Sequence, residues 1–232
     1  MRCSTFWTYG LVLTALLGCR DPRLVQSIRQ GDSAVSQSLI DDGVDVNAHD
    51  STGLTALCVA IDANDKDTYR RLLVKGANPN LCDNVGTSAM HLAAQQEDIF
   101  WLEEALKHGG KPNLPNTGNR AFPNDTPIFY AIGQQRRENV LALLAAGADV
   151  KHVNGNNNTP LYVCMDAGLY DVMMKMIEAG AEPTPPKPAL SIFENGWWRE
   201  GYENFLLSDE HKRQYLELKE MLIEKGYLQP AK

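Results

Sequence analysis

Five glycines divide most of the chain into segments of nearly equal length. Gly43, Gly76, Gly109, Gly147 and Gly180 are separated by 33, 33, 38 and 33 residues. Each glycine ends an amphipathic run and precedes a short tail, and every one of these tails contains Asn, Asp or Pro. A period of this length is typical of a repeat protein, in which each unit buries its apolar face only against its neighbours.

A second series of residues runs in register with the glycines. Thr55, Ser88, Thr126 and Thr159 are separated by 33, 38 and 33 residues, so both series place an insertion between Asn113 and Thr126. A Thr or Ser side chain can accept a hydrogen bond from a free amide at a helix start, and proline beside it fits the first turn. These residues therefore indicate where a helix begins in each unit.

Each unit is predicted to contain two helices. The first is short, as over Leu57–Ala63 and Met90–Gln96, and the second carries paired apolar residues at helical spacing before its terminal glycine. We expect the first unit to begin its helix near Pro22 and a closing helix to cover about 209–225. The inward face of that closing helix carries Tyr215, Leu218 and Leu222.

The combination of a box beginning with Thr or Ser, as in Thr159-Pro160-Leu161-Tyr162, and a Gly-Ala-Asp-Val tail, as at 147–150, resembles the ankyrin repeat. The resemblance implies an all-α solenoid of about six helix-turn-helix units with long turns, capped at both ends. The predicted domain covers 19–232, with an N-terminal cap over about 22–47, repeats over about 48–80, 81–113, 114–151 and 152–184, and an atypical C-terminal unit over about 185–232.

The N-terminus is predicted to be a targeting segment. Met1 and Arg2 precede the uncharged stretch Thr5–Leu17, which is shorter than the roughly 20 residues that span a bilayer as a helix. The sequence Leu16-Leu17-Gly18-Cys19 resembles the lipobox of bacterial lipoproteins, although Leu17 departs from the more usual small residue. The resemblance implies a signal peptide over 1–18, lipidation of Cys19, and a periplasmic protein anchored only through its lipid. Arg20 after the cysteine favours the outer membrane over the inner one; the alternative is an ordinary secretory signal with an incidental cysteine.

The sequence contains no signal for catalysis, metal binding or a cofactor. The net charge of −7 and a pI of about 5.2 argue against nucleic-acid binding. No phosphate-binding loop, nucleophile elbow or zinc motif is present. We interpret His91 as a structural residue of the repeat, and the acidic set as a solvated helix end rather than a calcium site. That acidic set is Asp41, Asp42, Asp45 and Asp50. We therefore predict that the protein is not an enzyme.

Three cysteines remain beyond the targeting segment. Cys164 falls at a small, buried position of a first helix, where an inert thiol is expected. Cys58 and Cys82 lie in consecutive units, and an oxidising compartment permits a disulfide between them. The sequence leaves open whether these two cysteines pair.

The remaining candidates form a surface for a protein partner. In ankyrin arrays the turn tips and the exposed side of the first helices form an extended concave platform. Amides and carboxylates on a rigid scaffold suit a protein partner better than a small apolar ligand. The turn-tip candidates are Ser51, Thr52, Leu54, Asn84, Val85, Asn119, Arg120, Phe122, Asn156 and Asn157, and the first-helix candidates are Asp62, Gln95, Gln96, Gln134 and Asp166.

A stretch rich in aromatic residues before the closing helix can be interpreted in two ways. Trp197, Trp198 and Tyr202 either fold back over the last repeat or form an exposed anchor for the partner.

A small ankyrin lipoprotein of the periplasm resembles the immunity proteins encoded beside type VI secretion lipase or phospholipase effectors, which neutralise a membrane-attacking toxin. The alternative is a periplasmic adaptor that stabilises an envelope enzyme or complex. In either case we expect a monomer or a one-to-one complex.

Overall fold

Eleven α-helices form the part of the chain that the computed structural model describes, namely residues 22–118, 121, 123–183 and 208–228. Among these residues the only β-type pairings are two isolated bridges, His49 with Thr55 and Cys82 with Ser88. The helices are α1 (Pro22–Arg29), α2 (Ser33–Asp41), α3 (Ala56–Asp62), α4 (Lys66–Val74), α5 (Ala89–Gln95), α6 (Phe100–Lys107), α7 (Pro127–Gly133), α8 (Arg137–Ala145), α9 (Pro160–Asp166), α10 (Tyr170–Glu178) and α11 (Asp209–Glu224).

The first ten helices form five consecutive pairs. The odd-numbered inner helices pack on one another in chain order from α1 to α9, and the even-numbered outer helices cover one side of this row. This arrangement confirms the predicted all-α ankyrin-repeat solenoid. Each predicted repeat contains one inner and one outer helix, although its exact boundaries stay predictions. The predicted signal segment and Cys19 lie outside the described residues.

Three of the four caps expected for the inner helices are present, whereas the Thr126 side chain at the start of α7 forms no cap hydrogen bond. The Thr55 hydroxyl accepts a hydrogen bond from the Cys58 amide, and Ser88 forms a capping box with His91. Pro127 is the first helical residue of α7, where its missing amide hydrogen costs nothing. The predicted first helices are correct within one residue, since α3 and α5 each begin and end one residue earlier than expected.

Register-equivalent apolar residues form one continuous core. Leu57, Met90, Ile128 and Leu161 recur on the inner helices and are at most 1% exposed. The outer helices contribute a parallel row that includes Leu72, also fully buried. These side chains belong to one cluster that runs through successive units, so the apolar face of one unit is buried only when its neighbours are present.

A ladder of asparagines joins the units on the side where the outer helices end. The side-chain oxygens of Asn47, Asn80 and Asn113 each accept a hydrogen bond of 2.7 Å from a backbone amide of the following unit. The side chains of Asn80 and Asn113 also donate to the carbonyls of Gly109 and Gly147, both at 2.9 Å. These bonds fix the spacing of the units independently of the apolar core.

The last described helix packs against α10 through the face that the sequence predicts to be buried. Tyr215, Leu218 and Leu222 of α11 are buried, and the ring of Tyr215 lies 5.9 Å from that of Tyr170 on α10. Trp101, in the first turn of α6, is 2% exposed. None of the helices in the described ranges has the length and apolar content needed to cross a membrane.

Candidate protein-binding surface

In the first, second and fourth turns, a polar side chain inside the turn shapes the tip that separates one helix pair from the next. In the second tip, the Asp83 carboxylate accepts hydrogen bonds from the amides of Val85 and Thr87 at 2.9 and 2.8 Å. Asp50 and Asn154 do the same in the first and fourth tips. Because these bonds satisfy the backbone from within, the side chains at the tip remain available to a partner.

Successive tips stack closely on one another. The Asn84 amide donates to the Thr52 carbonyl at 3.3 Å, and the Gly155 amide donates to the Pro123 carbonyl at 2.6 Å. At Gly86, where φ is +79°, a Cβ would lie 2.3 Å from the backbone nitrogen of Gly118. Only glycine permits this approach, so the tips form one continuous row rather than independent loops. We call the residues 50–54, 83–87, 117–118 with 121 and 123, and 154–158 the tip row.

The five-residue insertion is held at its base by buried polar groups. Asn116, which is 1% exposed, donates from its side chain to the Tyr130 hydroxyl at 2.6 Å, and its amide donates to the Asp125 carbonyl. The Asp125 carboxylate in turn accepts from the Asn154 side chain at 2.6 Å. Burial raises the pKa of Asp125, and the hydrogen bond from Asn154 opposes that change. The network ties the insertion to the units on both sides.

His91 joins the same network and is structural, as the sequence predicts. Its Nδ1 accepts from the Ser88 amide at 3.2 Å and its Nε2 lies 3.0 Å from the Leu114 carbonyl. This pattern assigns the proton of a neutral imidazole to Nε2. Burial of the ring lowers the pKa of His91 to about 4, although the hydrogen bond to Leu114 acts in the opposite direction.

An apolar stripe lies on the inner helices beside the tip row. Leu92, Tyr130 and Val163 are equivalent in the repeat register and half-buried. The exposed carboxylates of Asp62 and Asp166 occur at another repeated position of these helices. The sequence analysis selected the polar residues and missed this stripe, which could have been found four residues after each initial Thr or Ser.

A groove of about 840 Å³ lies at the N-terminal end of the tip row, between α1 and the first tip. Arg29 and Asp50 form an ion pair of 2.8 Å across it. Partial burial raises the pKa of Asp50, but the hydrogen bonds from Thr52 and Arg29 outweigh this and lower it to about 2. Asp50 therefore corrects the prediction of a wholly solvated acidic set, because this carboxylate is buried and organises the first tip.

The other three acidic residues of that set are exposed, as predicted. Asp41 lies 3.5 Å from Arg71 and 3.6 Å from Lys75, which are contacts between side chains of neighbouring outer helices. Among the residues that the structure describes, no cluster of His, Cys, Asp and Glu could hold a metal ion. Cys58, Cys82 and Cys164 are free thiols, and Cys164 is fully buried, as expected.

Seven of the predicted partner-binding residues in the described ranges lie on the tip row, and five lie at the C-terminal ends of the inner helices, one helix length away from the tips. The exposed members are Ser51, Thr52, Asn84, Val85, Asn156, Asn157, Asp62, Gln134 and Asp166, and the half-buried members are Leu54, Gln95 and Gln96. Val85 is 53% exposed, which is unusual for a large apolar side chain. The other candidates, Asn119, Arg120, Phe122, Trp197, Trp198 and Tyr202, lie outside the described residues.

The fold and the row of tips define a helical-repeat interaction module. Residues 24–116 match the family model of ankyrin repeats in three copies, and the helix pairs continue in the same arrangement to α10. The repeats within residues 24–116 are therefore ankyrin repeats, and such repeats form protein–protein interaction modules that are generally not enzymes. A comparison with curated proteins finds no match to this chain.

Proposed function

We propose that this chain is a lipid-anchored periplasmic immunity protein, which binds and neutralises a lipase or phospholipase toxin delivered by type VI secretion. The observation that carries the proposal of binding is the stacked tip row. Its backbone is fixed by internal hydrogen bonds, while Asn84, Val85 and Asn156 remain exposed. A preorganised surface loses little conformational entropy on binding, and tight neutralisation requires this.

The tip row and the apolar stripe have the composition of an interface. Val85, Leu92, Tyr130 and Val163 offer apolar area, and the amides of the tips offer hydrogen bonds around it. Interfaces commonly combine a buried apolar centre with a polar rim. The chain's net charge of −7 would also speed its encounter with a basic toxin surface.

The predicted location of the protein supports the choice of toxin class. A lipobox-like sequence ending at Cys19 would keep the protein at the membrane that such a toxin attacks. Neutralisation requires only that the partner's active site or its membrane approach be covered, so no catalytic group is needed in this chain.

The test uses two matched substitutions on opposite faces. Val85 is 53% exposed on the tip row, and Val74 is 68% exposed at the end of outer helix α4. Cells that express Val85→Glu, Val74→Glu or the unchanged chain are challenged with the product of the neighbouring gene, directed to the periplasm. We expect Val85→Glu to weaken the complex at least tenfold, which corresponds to about 1.4 kcal/mol, and to reduce protection, because it would bury a charge in the interface.

Val74→Glu should leave both affinity and protection unchanged. Equal effects of the two substitutions would contradict the assignment of the tip row. A chain that protects against no neighbouring toxin and instead co-purifies with an envelope enzyme, which loses activity without it, would support the adaptor role and refute the immunity role.

A further inference from the structure

The first helix begins close to the proposed lipid anchor. This inference rests on the proposed lipidation of Cys19. Cys19 precedes Pro22, the first residue of α1, by three residues. Three Cα–Cα steps of 3.8 Å reach at most about 11 Å, so an acyl chain on Cys19 would hold α1 within that distance of the headgroups.

The described chain is firmly folded from this point onward. Leu24 and Val25, on the first turn of α1, are each 1% exposed and belong to the continuous core. α1 packs against both α2 and α3, so it cannot separate from the stack without exposing that core. The short connection therefore acts on the whole solenoid and not on a loose arm.

The outer helix of the terminal pair also differs in charge from the outer helices behind it. The outer helices α4, α6, α8 and α10 each carry at least two charged side chains. In α2 the segment Ser33–Ile40 carries none, and Asp41 at its end lies near Arg71 and Lys75. Val35 of this helix is 45% exposed.

We propose that the N-terminal end of the anchored solenoid faces the membrane. The exposed side of α2 then contacts the lipid headgroups, and the tip row extends away from the bilayer. An acidic protein is repelled by anionic headgroups, so contact through the uncharged segment 33–40 of α2 is more favourable than contact through the charged outer helices behind it. Lying along the membrane would instead bring the carboxylates of Asp62 and Asp166, or those of the outer helices, against the headgroups.

This orientation sets where a partner is held. Neighbouring helix pairs are spaced about 8–10 Å apart, so α10 would stand about 32–40 Å farther from the bilayer than α2. The tip row would then cover this range of heights above the membrane. A membrane-attacking partner bound along it would be kept with part of its surface beyond reach of the lipid.

The orientation is tested with fluorophores at three exposed apolar positions. In the full-length, lipidated chain carrying Cys82→Ser, a single cysteine is introduced by Val35→Cys, Val74→Cys or Leu216→Cys and labelled; Cys58 and Cys164 are buried and remain unlabelled. The protein is reconstituted into vesicles of phosphatidylethanolamine and phosphatidylglycerol that contain a headgroup nitroxide quencher. We expect strong quenching at position 35, weak quenching at 74 and none at 216.

A matched control lengthens the connection. Inserting twelve Gly and Ser residues after Arg20 extends the reach of the anchor, so quenching at position 35 should fall several-fold while lipidation is unchanged. Equal quenching at positions 35 and 216, or no effect of the longer connection, would refute the upright orientation. Mass spectrometry distinguishes a wrong orientation from a missing lipid anchor. A chain without acyl groups would refute both the proposed lipidation and the orientation that depends on it.

Discussion

Two buried polar side chains at one repeat position are expected to respond to mutation in opposite directions. Thr68 of α4 and Asn139 of α8 are equivalent in the repeat register, are at most 1% exposed, and each leave an oxygen without a hydrogen-bond partner. The two residues differ in the other hydrogen bonds that their side chains form. Asn139 donates to the carbonyls of Ala94 and Gln96 at 2.9 and 2.8 Å, and so satisfies the end of α5 in the preceding unit.

The magnitudes follow from these contacts. Asn139→Ala leaves two largely buried carbonyl oxygens without this donor, at about 1–3 kcal/mol for each group, but it also removes the unpaired Oδ1. We therefore expect a net loss of about 1–3 kcal/mol in the free energy of unfolding. Thr68→Val keeps the shape of the side chain and removes an unpaired hydroxyl, so the free energy of unfolding should stay the same or rise by up to about 1 kcal/mol.

Urea denaturation of residues 20–232 measures both effects. Circular dichroism follows the helices, and tryptophan fluorescence includes a signal from the buried Trp101; coincident transitions justify the two-state comparison. Asn139→Asp should destabilise at least as much as alanine at neutral pH, because a carboxylate cannot donate to the two carbonyls. An unchanged midpoint for Asn139→Ala, or an equal decrease for Thr68→Val, would refute the reasoning.

Three further predictions concern packing, thiols and pH. Gly110→Ala should destabilise the fold by about 1–3 kcal/mol, because a Cβ there would lie 2.2 Å from the buried Met90 sulfur and 2.7 Å from the Ala105 carbonyl oxygen. Gly133→Ala is the control, because a Cβ at this helical position meets open space, and it should stabilise the fold by about 0.5–1 kcal/mol in the same urea titration. In the folded chain from residue 20, a thiol reagent at pH 8 should react faster with Cys82 than with Cys58 or Cys164. Burial raises the pKa of all three thiols, that of Cys58 to about 11, but only Cys82 is exposed to the reagent. Detection of a disulfide between Cys58 and Cys82 by mass spectrometry would contradict this. Burial lowers the pKa of His91 to about 4 from an unfolded value of about 6.5. The free energy of unfolding should therefore fall by up to about 3 kcal/mol as the pH drops from 6.5 to 4. His91→Gln should flatten that part of the pH profile.

The repeat register could be predicted from sequence because it depends on local chemistry. A hydroxyl that caps a helix and a glycine that ends one act within a few residues, so Thr55 and Gly76 mark α3 and α4 without knowledge of distant neighbours. The turn after α5 shows where this reasoning ends. It is one residue longer than the other turns between paired helices, and Gln96 there is extended, with ψ of 152°.

The contacts that complete this turn come from the next unit and leave no local signal. Arg136 donates to the Gln95 carbonyl at 3.1 Å, and Asn139 donates to that of Gln96, from more than 40 residues away in sequence. The burial of Asp50 has the same explanation, because its partner Arg29 lies in the preceding unit. For the binding surface, local patterns indicated the tips, whereas the half-buried stripe of Leu92, Tyr130 and Val163 depends on how the inner helices face one another.

The insertion shows why the tips can vary without disturbing the stack. Two lines of contact set the spacing of the units: the inner helices along the core, and the asparagine ladder on the other side. The Asn113 bond to Asp149, which spans the insertion, is 2.7 Å long, as are the equivalent bonds of Asn47 and Asn80. The additional residues therefore extend the tip side alone, where neither line passes. Changes at the exposed side chains of the tips, such as Val85, can alter partner recognition at little cost in stability, and this separation favours the tip row as the surface on which specificity for one partner is built.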